Sequence, residues 1–283
     1  METAFFNGNF IPKNEVKISP DDRGFLFADG IYEVIRWYTG FFYDMEGHMS
    51  RLKRSLKEMR ISWPESDSFP SVAAGLIERN DLKDKPSLVY LQVTRGTAVR
   101  THAFPVQPVP ATVYASARSL SINPGMADRG VRVSVTEDPR WNRCDIKSVS
   151  LLPNILSLQQ AVESGFSECV FVRNGFITEC SHSNIFLAGG NVLYTHPESG
   201  YILSGITRKN VIRLAREAGI DVRETPFPAN RLNDITEAFI TGTSFEITPV
   251  TAFDDFIVNR GRPGPLTELL RTKFREELDR MIA

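Results

Sequence analysis

The chain has 283 residues, 42% hydrophobic and 24% charged, with 33 Lys and Arg against 34 Asp and Glu. At roughly 150 residues per domain this length predicts two domains able to bury about three quarters of their unfolded surface, and the composition excludes a mainly disordered, fibrous or collagenous chain. A net charge of −1 gives no global pull toward nucleic acid or an anionic membrane, so the expected partner is small and any anion must be held by a few focused side chains.

The first 60 residues read as short strands joined by turns at Asn7-Gly8 and Thr39-Gly40, followed by a helix. Over 45–61, Met49, Leu52, Leu56 and Met59 recur at three- and four-residue steps among charged neighbours, which predicts an amphipathic helix. A second helix is expected over 70–80 and a strand over 87–94. Residues 95–110 carry prolines, a glycine and basic and aromatic side chains without periodicity, the pattern of an exposed functional loop. After a strand over 111–117, residues 119–129 contain Asn123-Pro124-Gly125 and read as a linker. The boundary is placed at 119–126, between an N-terminal α/β domain over 1–118 and a C-terminal domain over 127–283.

In the second half a strand is expected over 131–135, helices near 154–164, 207–218 and 266–281, and three strands over 168–194 with hairpin turns at Asn174-Gly175 and Gly189-Gly190-Asn191. No apolar run approaches the roughly 18 residues of a membrane span, and the N-terminus has neither a basic start nor a long apolar stretch; no membrane association and a cytoplasmic location are expected. Cys144, Cys169 and Cys180 are odd in number and lack CxxC spacing, so free thiols are expected. His48, His102, His182 and His196 include no pair four residues apart, and no metal site is expected.

Glycine-rich nucleotide loops, the GxSxG nucleophile turn and the HExxH zinc motif are all absent. Four pieces of possible chemistry remain. Lys147, inside Asp145-Ile146-Lys147-Ser148, is a potential nucleophilic amine if burial lowers its pKa. Glu179 is an acid within an apolar strand run, where a carboxylate needs a charged or donor partner. The amides of Ile206 and Thr207 would open a helix, a ready anion site. The segment Thr241-Gly242-Thr243-Ser244 ends a strand with hydroxyls and a glycine, a second possible phosphate contact.

Taken in order, these pieces carry a resemblance that spans the chain. Asp22-Arg23-Gly24, Asp29 to Glu33, His48 with Arg51, Arg95-Gly96, Arg100-Thr101-His102, Arg140-Trp141, Lys147, Glu179 with Ser183-Asn184, Leu203 to Arg208 and Thr241 to Pro249 together resemble the fold-type IV class of pyridoxal-phosphate (PLP) enzymes, and within it the D-amino-acid aminotransferases. The resemblance implies an α+β fold of two domains: a small N-terminal α/β domain and a larger C-terminal one whose mainly antiparallel, barrel-like sheet is flanked by helices. It implies that Lys147 forms the Schiff base with PLP and moves the substrate proton. Glu179 would pair with the pyridine nitrogen, worth on the order of 4 kcal/mol at about 4 Å and an effective dielectric near 20, which keeps the ring protonated.

By the same resemblance Arg51, Ile206, Thr207 and Thr243 would hold the phosphate, Leu203 would pack on the ring, and Arg140 lies near the cofactor without an assigned role. Tyr32, Arg100 and His102 would trap the substrate α-carboxylate, the last two on a loop given to the partner subunit of a homodimer. The implied activity is transfer of an amino group from D-alanine- or D-glutamate-type amino acids to 2-oxo acids such as 2-oxoglutarate or pyruvate. Aminodeoxychorismate lyase and branched-chain aminotransferase chemistry on the same fold are the alternatives. Gly242, Phe245, Cys180 and His182 depart from the family pattern and bear on side-chain preference and cofactor affinity.

Overall fold

The computed structural model describes residues 2–121 and 124–282. It divides into two compact units, Met1–Ser121 with Ile146–Ser150, and Ile122–Asp145 with Leu151–Ala283. A single boundary at 119–126 does not contain the return of Ile146–Ser150 to the first unit.

The first unit carries β1 (Thr3–Phe6), β2 (Asn9–Pro12), α1 (Arg23–Phe27), β3 (Gly30–Trp37), α2 (Met45–Met59), α3 (Phe69–Arg79), β4 (Ser87–Thr94) and β5 (Thr112–Ser119). Its five-stranded sheet runs β2-β1-β5-β4-β3, antiparallel throughout. The apolar stripe of α2 seats Leu52 and Leu56 against Ile31, Ile35, Val89, Leu91 and Val93; burying one such leucine stabilises by roughly 1.5–3 kcal/mol. The helix α1 has no counterpart in the sequence reading, because five residues carry no periodicity. It is started by buried Asp22, whose carboxylate accepts from Gly24 N at 2.8 Å and from the hydroxyls of Thr94 and Thr112 at 3.0 and 2.6 Å. Residues 95–111 contain no helix or strand, as their composition indicates.

The second unit contains α4 (Pro124–Arg129), β6 (Val131–Glu137), α5 (Leu152–Glu163), β7 (Glu168–Arg173), β8 (Phe176–Cys180), β9 (Asn184–Gly189), β10 (Val192–Thr195), α6 (Ile206–Glu217), β11 (Asp221–Glu224), β12 (Phe227–Pro228), β13 (Glu237–Gly242), β14 (Glu246–Phe253), β15 (Phe256–Ile257) and α7 (Pro265–Ile282). The ten-stranded sheet runs β11-β10-β9-β13-β14-β6-β7-β8-β12, with β15 on β14. Most of its pairings are antiparallel; β6 with β7, β6 with β14 and β10 with β11 are parallel.

Part of the expected linker is the helix α4, while Asn123 lies outside the described residues. The three strands expected over 168–194 are four, because Ser181, His182 and Ser183 turn the chain between β8 and β9. That turn contains neither glycine nor proline. It is held instead by a buried acid: Glu168 accepts from Ser181 N at 3.2 Å and Ser183 Oγ at 3.1 Å, and also from Ser181 Oγ. The core between β6, β7, β9, β13 and β14 is built from Val131, Val133, Val170, Ile185, Leu187, Ile240 and Val250.

Candidate active site

In the first unit, Lys147 is brought beside Tyr32 by backbone pairing. Tyr32 N donates to Lys147 O at 2.9 Å and Val149 N to Gly30 O at 3.0 Å, so Ile146–Ser150 lies along β3. The half-buried Lys147 places Nζ 4.2 Å from the Tyr32 ring centroid. Tyr32 in turn stacks on Tyr90 at 5.9 Å, and burial pushes the Tyr90 hydroxyl up to about 12.

The same strand carries Glu33, 1% exposed, into the protein. Arg51 on α2 clasps it with two bonds of 2.8 Å, Nε to Oε1 and Nη2 to Oε2, and His48 Nδ1 lies 3.0 Å from Oε2. Burial alone would raise the Glu33 carboxyl, but Arg51 outweighs it and holds the group well below the usual carboxylate range. Burial lowers His48 despite its Glu33 partner. Arg51 therefore enters any anion site as a fixed, fully charged guanidinium aligned by Glu33.

Arg100 and His102 stand apart from the Lys147–Tyr32 pair in their contacts: both lie against Phe27, at 5.2 Å for the guanidinium and 5.7 Å for the imidazole ring. Their loop is tied down from behind. Arg23 donates to Thr101 O at 2.7 Å and Ala103 O at 3.3 Å, and its Nε meets Asp29 at 2.8 Å. Asp29 also takes two bonds from Arg95, whose guanidinium lies 3.5 Å over the Phe104 ring. The exposed side chains of Arg100 and His102 thus sit on a positioned backbone.

In the second unit, Glu179 on β8 is 5% exposed and fully partnered. Oε1 accepts from Arg140 Nη1 at 2.5 Å; Oε2 accepts from Asn184 Nδ2 at 2.9 Å and from Leu203 N at 3.0 Å. Arg140 is fixed on its other edges by Asp138, by Tyr201 O and by the Phe171 ring 4.4 Å away. Burial pushes the Glu179 carboxyl up to about 7 against the pull of Arg140, while Glu179 and Asp138 keep Arg140 charged against its own burial.

Asn184 ties three of the pieces together. Its Nδ2 bonds Glu179 and, at 2.9 Å, Leu203 O, and a Cβ on Gly205 would stand 2.0 Å from its Oδ1. Only glycine lets the start of α6 approach so closely. Gly205 caps α6 without a side-chain bond, leaving the Ile206 and Thr207 amides at the first turn. Thr241 pairs across the sheet with Asn184, and its buried Oγ1 has no hydrogen-bond partner among the described residues. Thr243 follows in the turn between β13 and β14. An orphaned hydroxyl, an uncapped helix start and a carboxyl raised by burial are what a bound phosphorylated pyridine would satisfy.

Asn184, Glu33, Asp29, Arg23 and Arg95 received no individual role from the sequence, and the Arg140 contact to Glu179 was not specified there. Glu33 did leave a signal, an acid among the apolar residues of β3 with two basic partners on the next helix.

The family model for class IV amino-transferases matches residues 30–253. The D-alanine aminotransferase of Bacillus licheniformis is 37% identical over 276 residues, 97% of this chain and 96% of that one. The D-alanine aminotransferase of Staphylococcus aureus strain MSSA476 is 36% identical over 280 residues, 99% of both chains. Among solved structures, the branched-chain amino acid aminotransferase of Escherichia coli aligns with a TM-score of 0.91 at 26% identity, over 97% of this chain and 94% of that one. That of Thermobaculum terrenum, in its PLP form, gives 0.86 at 25%, over 98% and 93%. With a family model over most of its length and relatives this similar from end to end, the chain belongs to the class IV aminotransferases.

Proposed function

We propose that this chain is a PLP-dependent transaminase that moves the amino group of D-amino acids, of the D-alanine or D-glutamate type, to 2-oxo acids such as 2-oxoglutarate or pyruvate. The observation that carries the cofactor reading is Glu179, a buried carboxyl held by Arg140, Asn184 and the Leu203 amide at the edge of an uncapped helix start. D-specificity is supported by relatives named D-alanine aminotransferase at 35–37% identity, against 24–26% for the branched-chain structures.

When bound, PLP supplies an electron sink that stabilises negative charge at the substrate Cα. Glu179 would hold the ring nitrogen in its protonated form. Arg51, the Ile206 and Thr207 amides and Thr243 would hold the phosphate, and Leu203 would pack on the ring. Lys147 would hold the cofactor covalently through Nζ and, once released, take the proton from the substrate Cα as general base. Tyr32, Arg100 and His102 would orient the α-carboxylate so that the Cα–H faces that amine.

The reading includes a homodimer in which each Arg100–His102 loop serves the partner. Exposed apolar side chains support it: Phe25 and Val106 in the first unit are 75% and 95% exposed, and Leu152 and Leu156 on α5 65% and 61%. A cytoplasmic location is part of the same reading, supported by free cysteines Cys144, Cys169 and Cys180. A panel of D- and L-amino acids with 2-oxoglutarate as acceptor tests the activity. Exchange confined to L-leucine and L-valine would overturn it, and pyruvate release from aminodeoxychorismate without an acceptor would replace it by the lyase.

A further inference from the structure

Arg100 and His102 share one support within the first unit. Arg23 and Phe27 stand four residues apart on α1 and so face the same way, and the Arg23 guanidinium lies 4.8 Å from the Phe27 ring centroid. The Arg100 guanidinium and the His102 ring lie against that same phenyl ring. The loop is laid over the helix from its base onward: Arg23 N donates to Gly96 O at 3.0 Å and Ala98 N to Asp21 O at 3.3 Å.

Arg23, 3% exposed, is divided between a carboxylate and this loop. Its Nε donates to Asp29, which also serves Arg95, so one carboxylate answers two guanidiniums. The remaining donors go to backbone: Nη1 to Thr101 O and Ala103 O, and Nη2 to His102 O at 3.5 Å. Three successive carbonyls thus converge on one guanidinium, while the side chains of Arg100, Thr101 and His102 stay exposed. A planar fork reaches several acceptors at once, which the single ammonium of a lysine does not. Taking a guanidinium out of water is costly, and here its hydrogen bonds hold an exposed loop.

We propose that Arg23 and Phe27 are positioning residues for recognition of the substrate carboxylate: Arg23 fixes the backbone, and Phe27 the side-chain placement, of Arg100 and His102, whichever subunit's cofactor the loop serves. This rests on the reading of Arg100 and His102 given above. Neither residue touches the substrate. Both act through the anchor, where a displacement of about 1 Å costs up to a hundredfold.

The test uses PLP-loaded wild type, Arg23→Lys, Phe27→Leu, Arg100→Ala and the double variant Arg23→Lys with Arg100→Ala. Dissociation constants for propionate, an unreactive carboxylate, are read from the cofactor absorbance, beside the spectral change with ethylamine, which has no carboxylate. Arg23→Lys should weaken propionate about tenfold or more and raise KM for D-alanine in step, Phe27→Leu should do so by less, and the cofactor spectrum and the ethylamine response should stay as in wild type. In the Arg100→Ala background Arg23→Lys should weaken propionate by only about twofold or less, because residues that act as one unit are not additive. Unchanged propionate affinity in folded, PLP-loaded Arg23→Lys would overturn the proposal, as would an equal loss for ethylamine or a full further loss in the double variant. Should Arg23→Lys fail to load PLP, Phe27→Leu decides by the same comparisons. If wild type binds propionate yet exchanges no amino acid, the transaminase reading has failed and the affinities still decide the positioning role; if it binds no carboxylate, that role falls too.

Discussion

Arg140 donates from Nη1 to Oε1 of Glu179 across 2.5 Å, with side-chain exposures of only 4% and 6%. The guanidinium is spent on three further acceptors, both oxygens of Asp138 and Tyr201 O, so it cannot swing away and leave Glu179. Even so, burial raises the Glu179 carboxyl to about 7. In the cofactor-free protein the acid is poised between its two charge states at neutral pH, and a pyridinium beside it would complete the ionisation.

This poise predicts an unusual pH profile for the cofactor-free protein. A carboxyl at 4.5 when unfolded and about 7 when folded keeps its proton in the native state where the unfolded chain has lost it. Its contribution is fully present below about 4.5 and is lost as pH rises through 7, up to about 3 kcal/mol. Urea midpoints of the cofactor-free protein should fall over that interval, and Glu179→Gln, with no proton to lose, should flatten the curve. An equal slope in both proteins would show that Glu179 is ionised throughout. In the loaded enzyme, Glu179→Gln should slow the half-reaction with D-alanine while leaving the fold intact.

Lys147 is assigned the covalent link, and borohydride tests it directly. The purified protein should be yellow, and reduction should leave the cofactor on one peptide, the one that contains Lys147. Modification of any other lysine removes the assignment. Lys147→Ala should still bind PLP reversibly, through its phosphate and ring contacts, yet lose transamination by many orders of magnitude, because nucleophile and proton carrier go together.

Two bonds to Glu33 hold Arg51 in place inside the first unit. Removing one partner of a buried pair leaves the other uncompensated, so Glu33→Gln should cost about 3 to 5 kcal/mol, read as a lower urea midpoint at unchanged slope. The linkage here has the opposite sign to that of Glu179. Both Glu33 and His48 are depressed in the folded state. Their contribution is present above the unfolded values and lost as pH falls through the folded ones. If Arg51 also grips the phosphate, Arg51→Ala should weaken PLP and spare pyridoxal, which has no phosphate; equal loss of both would confine Arg51 to a structural role.

Much of this was legible from residue order alone. The α2 helix follows from Leu52 and Leu56 at four-residue spacing, and Lys147, Glu179 and the Leu203 to Arg208 run stand in the order that the family shows. What escaped the sequence was whatever depends on long-range pairing. The turn at Ser181–Ser183 has no glycine or proline because Glu168, a residue of β7, supplies its hydrogen bonds. α1 is only five residues long and owes its start to Asp22, itself held by Thr94 and Thr112 on distant strands. The Arg140–Glu179 bond spans 39 positions, and no local pattern encodes such a distance.

The last prediction joins handedness to the subunit arrangement. If Lys147 carries the cofactor, its amine would reach the substrate from one side only, so the side on which the α-carboxylate is anchored would decide which enantiomer turns its Cα–H toward the amine. With Tyr32, Arg100 and His102 as that anchor, D-alanine and D-glutamate should aminate the cofactor, and L-leucine and L-valine should be much poorer. Arg100→Ala should lower kcat/KM for D-alanine by a factor of about a hundred to several thousand, the equivalent of about 3 to 5 kcal/mol for a desolvated ion pair. Within one chain Arg100 rests on Phe27, 5.2 Å away, and its loop backbone is held by Arg23, an arrangement suited to presenting the side chain outward to a second copy. Mixing inactive Lys147→Ala with inactive Arg100→Ala should therefore restore part of the activity once subunits exchange, because one site in the mixed dimer combines an intact lysine with an intact loop. No recovery after proven exchange would return Arg100 to its own subunit's site or remove it from the site altogether. Equal rates with D-alanine and L-leucine would mean that the anchor does not set the handedness.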